Sequence, residues 1–544
     1  MRSRRVSLAL FAVLAGAAVV PLSAAAAAAA NTVDAGVLRQ LFEAVKAQDP
    51  ETALYAIQQG ADVRATEPDG TTVLHYAAHS GDAALVAALL RAKADPDARN
   101  EFGATPLQEA AAMGHAEVIR LLLKAGADAE ARNPEGQTAL MVAARTGRVE
   151  SAQWLLKAGA KVNEKESWGG QSALMWAAAQ GQADMVRLLV RAGADVNARG
   201  TIRDWQRRVT SEPRPKGLNR GGLTPLLYAA REGHVEVARA LLDAGADIDL
   251  ADPDQVTPLV LALMNLRFDF AAFLIDRGAD VDRWDLFGQT PLYVAIDMNT
   301  LPKGGRPDLP SEDRTPALDV ARRLLAKGAN PDIQLKLRPP YRNYIFDRGG
   351  DQVLSTGATP LMRAAKGGDA EAVKLLLAHR ASVDLPSAEG ITPLMVAAGM
   401  GHGANPTRGR YKTDAQAAEC VRLLREAGGQ VNAVAPATKR TALHAAAAHG
   451  WTETARYLVA QGADLEALDA GGLAPLDHAA GRYPRAFLEP EPKPWAETMQ
   501  YLRQTIVAAT GREPREYKGP AAAAPGIGGA RNRSEFENGV GAGR

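Results

Sequence analysis

Nine histidines, a regular series of aspartates and one cysteine are the side chains of this 544-residue sequence that could carry acid–base, metal or nucleophilic chemistry. Their spacing argues against all three. His75 and His444 close the phrase Thr-x-Leu-His, and His115, His234 and His402 each follow a glycine, so they hold recurring structural addresses rather than forming a cluster. No His-Glu-x-x-His motif, no paired metal ligands and no Gly-x-Ser-x-Gly elbow occurs. Aspartates recur in Gly-Ala-Asp at Asp62, Asp128, Asp195, Asp247, Asp280 and Asp464. Elements stacked at the helix-packing distance of about 8–10 Å would hold such carboxylates too far apart to share a proton. Gly304-Gly305 and the glycines near 349 lack a phosphate-loop pattern. The expectation is no catalytic residue, no cofactor and no metal, with an unrecognised enzyme left as a remote alternative.

Cys420 is the single cysteine, which excludes a disulfide framework and a cysteine zinc site, and its apolar surroundings from Ala417 to Leu424 favour a buried thiol over a reactive one. The 63 basic and 62 acidic residues nearly balance, so no global field draws the chain to nucleic acid or to an anionic membrane. At the amino terminus Arg2, Arg4 and Arg5 precede an apolar stretch from Val6 to Val20, then Pro21 and small residues from Ser23 to Ala30. That order resembles a secretory signal peptide, and the stretch is shorter than the roughly 20 residues a membrane span needs, although an uncleaved anchor stays open. The chain is therefore expected to be exported, periplasmic or secreted, with residues 1–30 as the signal and no membrane span after its cleavage.

The elements that position these side chains follow from a repeat. Gly70, Gly103 and Gly136 are 33 residues apart, and each opens a related phrase: Gly-Thr-Thr-Val-Leu-His-Tyr-Ala-Ala, Gly-Ala-Thr-Pro-Leu-Gln-Glu-Ala-Ala and Gly-Gln-Thr-Ala-Leu-Met-Val-Ala-Ala. The phrase recurs from Gly170, Gly222, Gln255, Gly288, Gly357, Gly390, Lys439 and Gly472, giving eleven copies. Within the copy at Gly103, Thr105 can cap a helix whose first turn accepts Pro106, and Gly114 can end it. A second helix from Ala116 to Ala125 carries Val118, Ile119, Leu121, Leu122 and Leu123, with Gly126 placed to take the left-handed conformation beyond its end. Both helices are shorter than the roughly 12–15 residues needed for marginal stability alone, so they must stack on neighbours.

A 33-residue period carrying Thr-Pro-Leu-His-x-Ala-Ala and then Gly-Ala-Asp-Val-Asn resembles the ankyrin-repeat family over roughly residues 67–480. The resemblance implies an all-α solenoid, a right-handed stack of about 12 helix-turn-helix units joined by β-hairpin or finger loops. Residues 31–66 read as a degenerate amino-terminal capping repeat, 67–510 as the array, and 511–544, rich in Gly, Ala, Arg and Asn, as a disordered tail. Lys93 and Arg380 stand where the helix-ending glycine is expected.

Five insertions break the period, at about 200–221 and 331–356 between repeats, and at about 297–314, 401–414 and 482–495 between the two helices of a unit. Members of the resembled family bind partners through fingers and inner helices, which puts the first two insertions on the binding face. They carry Trp205, Arg207, Arg208 and Arg214, and Arg338, Tyr341, Arg342, Tyr344 and Phe346. Arginine and aromatic side chains dominate interface hot spots. Phe102, Trp168 and Phe287 occupy finger positions of the same flavour. Packing of these side chains against the solenoid or the next finger is the alternative. The function expected is non-enzymatic scaffolding of another protein by a monomer, or regulation or protection of one periplasmic enzyme.

Overall fold

The computed structural model describes residues 36–203, 220–300, 313–337, 353–401, 412–483, 493–515 and 517. Residues 1–35, which include the segment read as a signal, most of the tail, and residues 204–219, 301–312, 338–352, 402–411 and 484–492 within the five insertions lie outside the described residues. The chain divides between Trp168 and Gly169 into two compact bodies.

Local chemistry starts the helices where the phrase predicts. Thr105 is extended (φ −106°, ψ 159°), its hydroxyl accepts the Gln108 N–H, and Pro106 opens the helix Pro106–Met113. Gly114, at φ +87°, takes the left-handed conformation that ends it. The partner helix Ala116–Lys124 buries Val118, Ile119 and Leu122, and Gly126 follows at φ +97°. Its Leu121 and Leu123 are half-buried.

The first body stacks four such pairs: 36–46 with Pro50–Gln58, Val73–Ser80 with Ala83–Arg91, Pro106–Met113 with Ala116–Lys124, and Ala139–Thr146 with Val149–Lys157. In the second, Ala173–Ala179 pairs with Ala183–Arg191, Pro225–Glu232 with Val235–Asp243, and Pro258–Met264 with Phe268–Asp276. Pro291–Asn299 pairs with Ala317–Ala326, Pro360–Gly367 with Ala370–Ala378, and Pro393–Ala397 with Asp414–Glu426. The body finishes with Ala442–Ala448 and Thr452–Ala460, then Pro475–Ala479 and Ala496–Thr510. Within each body the first helix of a phrase-bearing pair packs on the first helix of the next, and small residues there permit the close approach: Ala110, Ala111, Ala143, Ala144, Ala177 and Ala178 are fully buried. Cys420 is buried too.

Two details differ from the regular pattern. The loops between pairs are turns rather than β-hairpins. Among the described residues there is no strand, only the isolated bridges Thr66–Thr72 and Ile202–Gly221. Side chains take up the N–H groups a ladder would have used: Asn100 Oδ1 accepts from Phe102 N at 3.1 Å and Ala104 N at 3.0 Å. Second, Lys93 (φ +70°) and Arg380 (φ +63°) keep the left-handed geometry of the glycines they replace. A Cβ in that conformation costs about 1 kcal/mol, which the surrounding stack tolerates.

No helix among the described residues is long and apolar enough to cross a membrane.

Candidate protein-binding surface

Each finger is built by side chains that hydrogen-bond locally, so that its tip is held in place before any partner arrives. All six Gly-Ala-Asp carboxylates serve this purpose. Asp62 accepts from Arg64 N, Asp128 from Glu130 N and Asp195 from Asn197 N, each at 2.9 Å. Asp247, Asp280 and Asp464 accept in the same way from Asp249 N, Asp282 N and Glu466 N. Further along the finger, Asp252, Asp285 and Asp469 repeat the Asn100 turn. Burial pushes Asp252 up to about 6, although the N–H groups of Val256 and Asp254 favour its charged form.

A second set of bonds ties three of the fingers to the helix before them. His75 Nδ1 accepts from Thr72 N at 3.2 Å, while its Nε2–H reaches forward to the Ala104 carbonyl at 3.0 Å. His444 makes the same pair of bonds with Thr441 N and the Leu473 carbonyl. Gln108 does so with its amide, from Thr105 N to the carbonyls of Ala131 and Gln137. Burial lowers both histidines, His444 to about 4, so each stays neutral with one donor and one acceptor.

Successive tips are laced by the backbone: Glu101 N donates to Asp69 O at 2.7 Å, and Ser167 N to Glu135 O at 2.8 Å. Between them Gly103, at φ +65°, lets its tip approach Pro134 so closely that a Cβ would lie 2.5 Å from the proline ring. On this frame Phe102 is 66% exposed and Trp168 76% exposed. Phe287 holds the same turn position as Phe102 but is half-buried, and its carbonyl accepts from Lys336 N and Leu337 N of the next finger. Trp205, Arg207, Arg208, Arg214, Arg338, Tyr341, Arg342, Tyr344 and Phe346 lie outside the described residues.

Sequence reasoning missed a second apolar edge, where Trp284, Leu286 and Leu337 are exposed and Lys336 Nζ stands 3.9 Å above the Trp284 ring. Its signal was present, because Trp284 directly precedes Asp285 as Arg99 precedes Asn100, the finger-stem position five phrase copies earlier.

The inner helices differ between the bodies. In the first, His79, Met113 and Arg145 are exposed and Glu109 is half-buried, pairing with His79 at 2.9 Å. In the second, no residue of Pro291–Asn299, Pro360–Gly367 or Pro393–Ala397 is exposed. A buried polar network joins them: Arg363 pairs with Asp297, Asn299 donates to Asp369 at 2.6 Å, and Lys366 donates to the Gly401 carbonyl. Lys412 Nζ donates to the carbonyls of Ala365, Val396 and Ala397 and lies 5.1 Å over the Trp451 ring, with burial pushing it down to about 7. These carbonyls sit at helix C-termini, where a cation is favoured.

Among the described residues no group of three or more His, Cys, Asp or Glu is placed to hold a metal ion. Stacked helix pairs with stiff, side-chain-built fingers define the class as a helical-repeat protein. The family model for ankyrin repeats (three copies) matches residues 41–133, 126–200, 226–334, 316–405 and 413–487, and the chain belongs to the ankyrin-repeat family. Ankyrin repeats are general protein–protein interaction modules. No curated protein matches the chain.

Proposed function

We propose that this chain is an exported, non-catalytic scaffold that binds a protein partner through its finger edges and the open inner helices of the first body. The observation that carries the reading is the pair of aromatic side chains, Phe102 and Trp168, held out at tips whose backbones are already fixed by hydrogen bonds. Large apolar side chains on a preorganised frame bind without a large ordering cost, which is what a hot spot requires. The arginines and aromatics of 204–219 and 338–352 are further candidate contacts in this reading. The amino-terminal signal-like segment supports a periplasmic or secreted partner.

Affinity capture from the exported fraction tests it, using the full chain, Phe102→Ala/Trp168→Ala, and a variant lacking residues 204–219. Loss of two hot spots should weaken recovery of a specific partner by roughly 30-fold or more. Equal recovery by all three proteins would reject the finger edge as the recognition element.

A further inference from the structure

The first body's finger edge carries a charge pattern as well as two aromatics. Its four finger segments, 62–70, 95–103, 128–136 and 161–168, hold eleven carboxylates against five cations. Three of those cations are turned onto the chain itself. Arg64 donates to the Lys93 carbonyl, Arg99 to the Arg132 carbonyl, and Arg132 to the Lys165 carbonyl and the Glu164 carboxylate. Glu101 and Glu135, by contrast, are exposed at the tips and enter no ion pair among the described residues. The lacing of the tips sets these groups in one line. Glu101 and Phe102 follow Asp69, Pro134-Glu135 abuts Gly103, and Trp168 adjoins the Ser167 that bonds to Glu135.

We propose that this edge recognises an extended, arginine-bearing segment of a protein partner, with guanidinium groups seated between the tip carboxylates and the faces of Phe102 and Trp168. The inference rests on the scaffold reading above and names the chemistry of its partner. Arginine suits the edge better than lysine, because a planar guanidinium can pair with a carboxylate and stack on a ring at once. Repeats packed about 8–10 Å apart match one turn of a polyproline-II chain, three residues at about 3.1 Å each, which brings every third side chain back to the same face, so the arginines should recur at every third position.

Labelled synthetic peptides test this on the full-length protein by fluorescence anisotropy: (Gly-Ser-Arg)4, its lysine, glutamate and glutamine counterparts, and an isomer with the four arginines contiguous. The spaced arginine peptide should bind at least tenfold more tightly than the glutamate, glutamine and contiguous forms, and a few-fold more tightly than the lysine form. Phe102→Ala/Trp168→Ala should weaken it about tenfold or more, as should Glu101→Gln/Glu135→Gln, while circular dichroism is unchanged. Added salt should weaken it as well. Equal binding of the neutral or acidic peptides, or indifference to the tip variants, would overturn the inference. If the peptides fail while the captured partner still depends on Phe102 and Trp168, the surface stands and only its cationic chemistry falls. If the captured partner is also indifferent to those residues, the scaffold reading fails with it.

Discussion

Asp297→Ala is expected to destabilise the second body by about 3–5 kcal/mol, the cost of leaving a buried guanidinium without its carboxylate. Arg363 and Asp297 are both almost wholly buried, at 2% and 0% side-chain exposure, and they bridge the helices Pro291–Asn299 and Pro360–Gly367. A charge in that position cannot recover its solvation by a small shift. Replacing both partners, as Asp297→Leu/Arg363→Met, should return most of the lost stability, because a packed apolar pair carries no desolvation penalty. Urea unfolding followed by hydrogen exchange on peptides from 291–299 and 360–367 distinguishes the two variants. A single mutant that unfolds like the parent would show that the pair is not buried in solution.

Acidification is the second large effect. Burial lowers His444 to about 4 and His449 to about 4, the latter helped by Lys412 and Lys366 nearby. Against an unfolded-state value near 6.5, the unfolded chain takes up protons that the folded chain refuses. Stability is therefore full above about pH 6.5 and falls as pH drops toward 4, by about 3 kcal/mol for each histidine. His478, also lowered by burial, stacks edge-to-face on His444 at 5.0 Å and adds in the same direction. Burial would raise Asp469, but hydrogen bonds from His478 and from Leu473 and Gly471 N–H outweigh it and hold the carboxyl well below the usual range, so its contribution is lost only below about pH 4. Lys412 acts in another window: lowered to about 7, it makes the fold gain stability as pH rises from about 7 to 10.4. His444→Gln separates the terms, since Gln108 already makes the same bonds at the equivalent position. That variant should lose about 3 kcal/mol less than the parent between pH 6.5 and 4 in denaturant titrations. An identical pH profile would contradict the assignment.

The contrast between these sites and the fingers marks what could be read from residues alone. Thr105-Pro106, Gly114 and Gly126 announce their own helix ends, because capping and left-handed turns depend on neighbours within a few positions. His75 and His444 were legible as structural for the same reason, since their phrase repeats. Arg363 and Lys412 were not. Their partners lie 66 and up to 47 positions away, across insertions that break the period, and an arginine in the phrase looks like any surface residue until the neighbouring helix supplies Asp297. Phe287 shows a subtler limit. It shares its turn with Phe102, yet the next finger covers it and leaves Trp284 and Leu286 exposed instead. Position within a repeat fixes the backbone, whereas exposure is decided by the loop that follows.

Hydrogen-exchange mass spectrometry of the full chain, free and bound to its captured partner, tests the central claim most directly. Binding at the finger edge predicts protection in peptides covering 95–103, 128–136 and 161–168, with the outer helix Ala116–Lys124 unchanged. Protection confined to the outer helices, with the finger peptides exchanging as in the free chain, would contradict it.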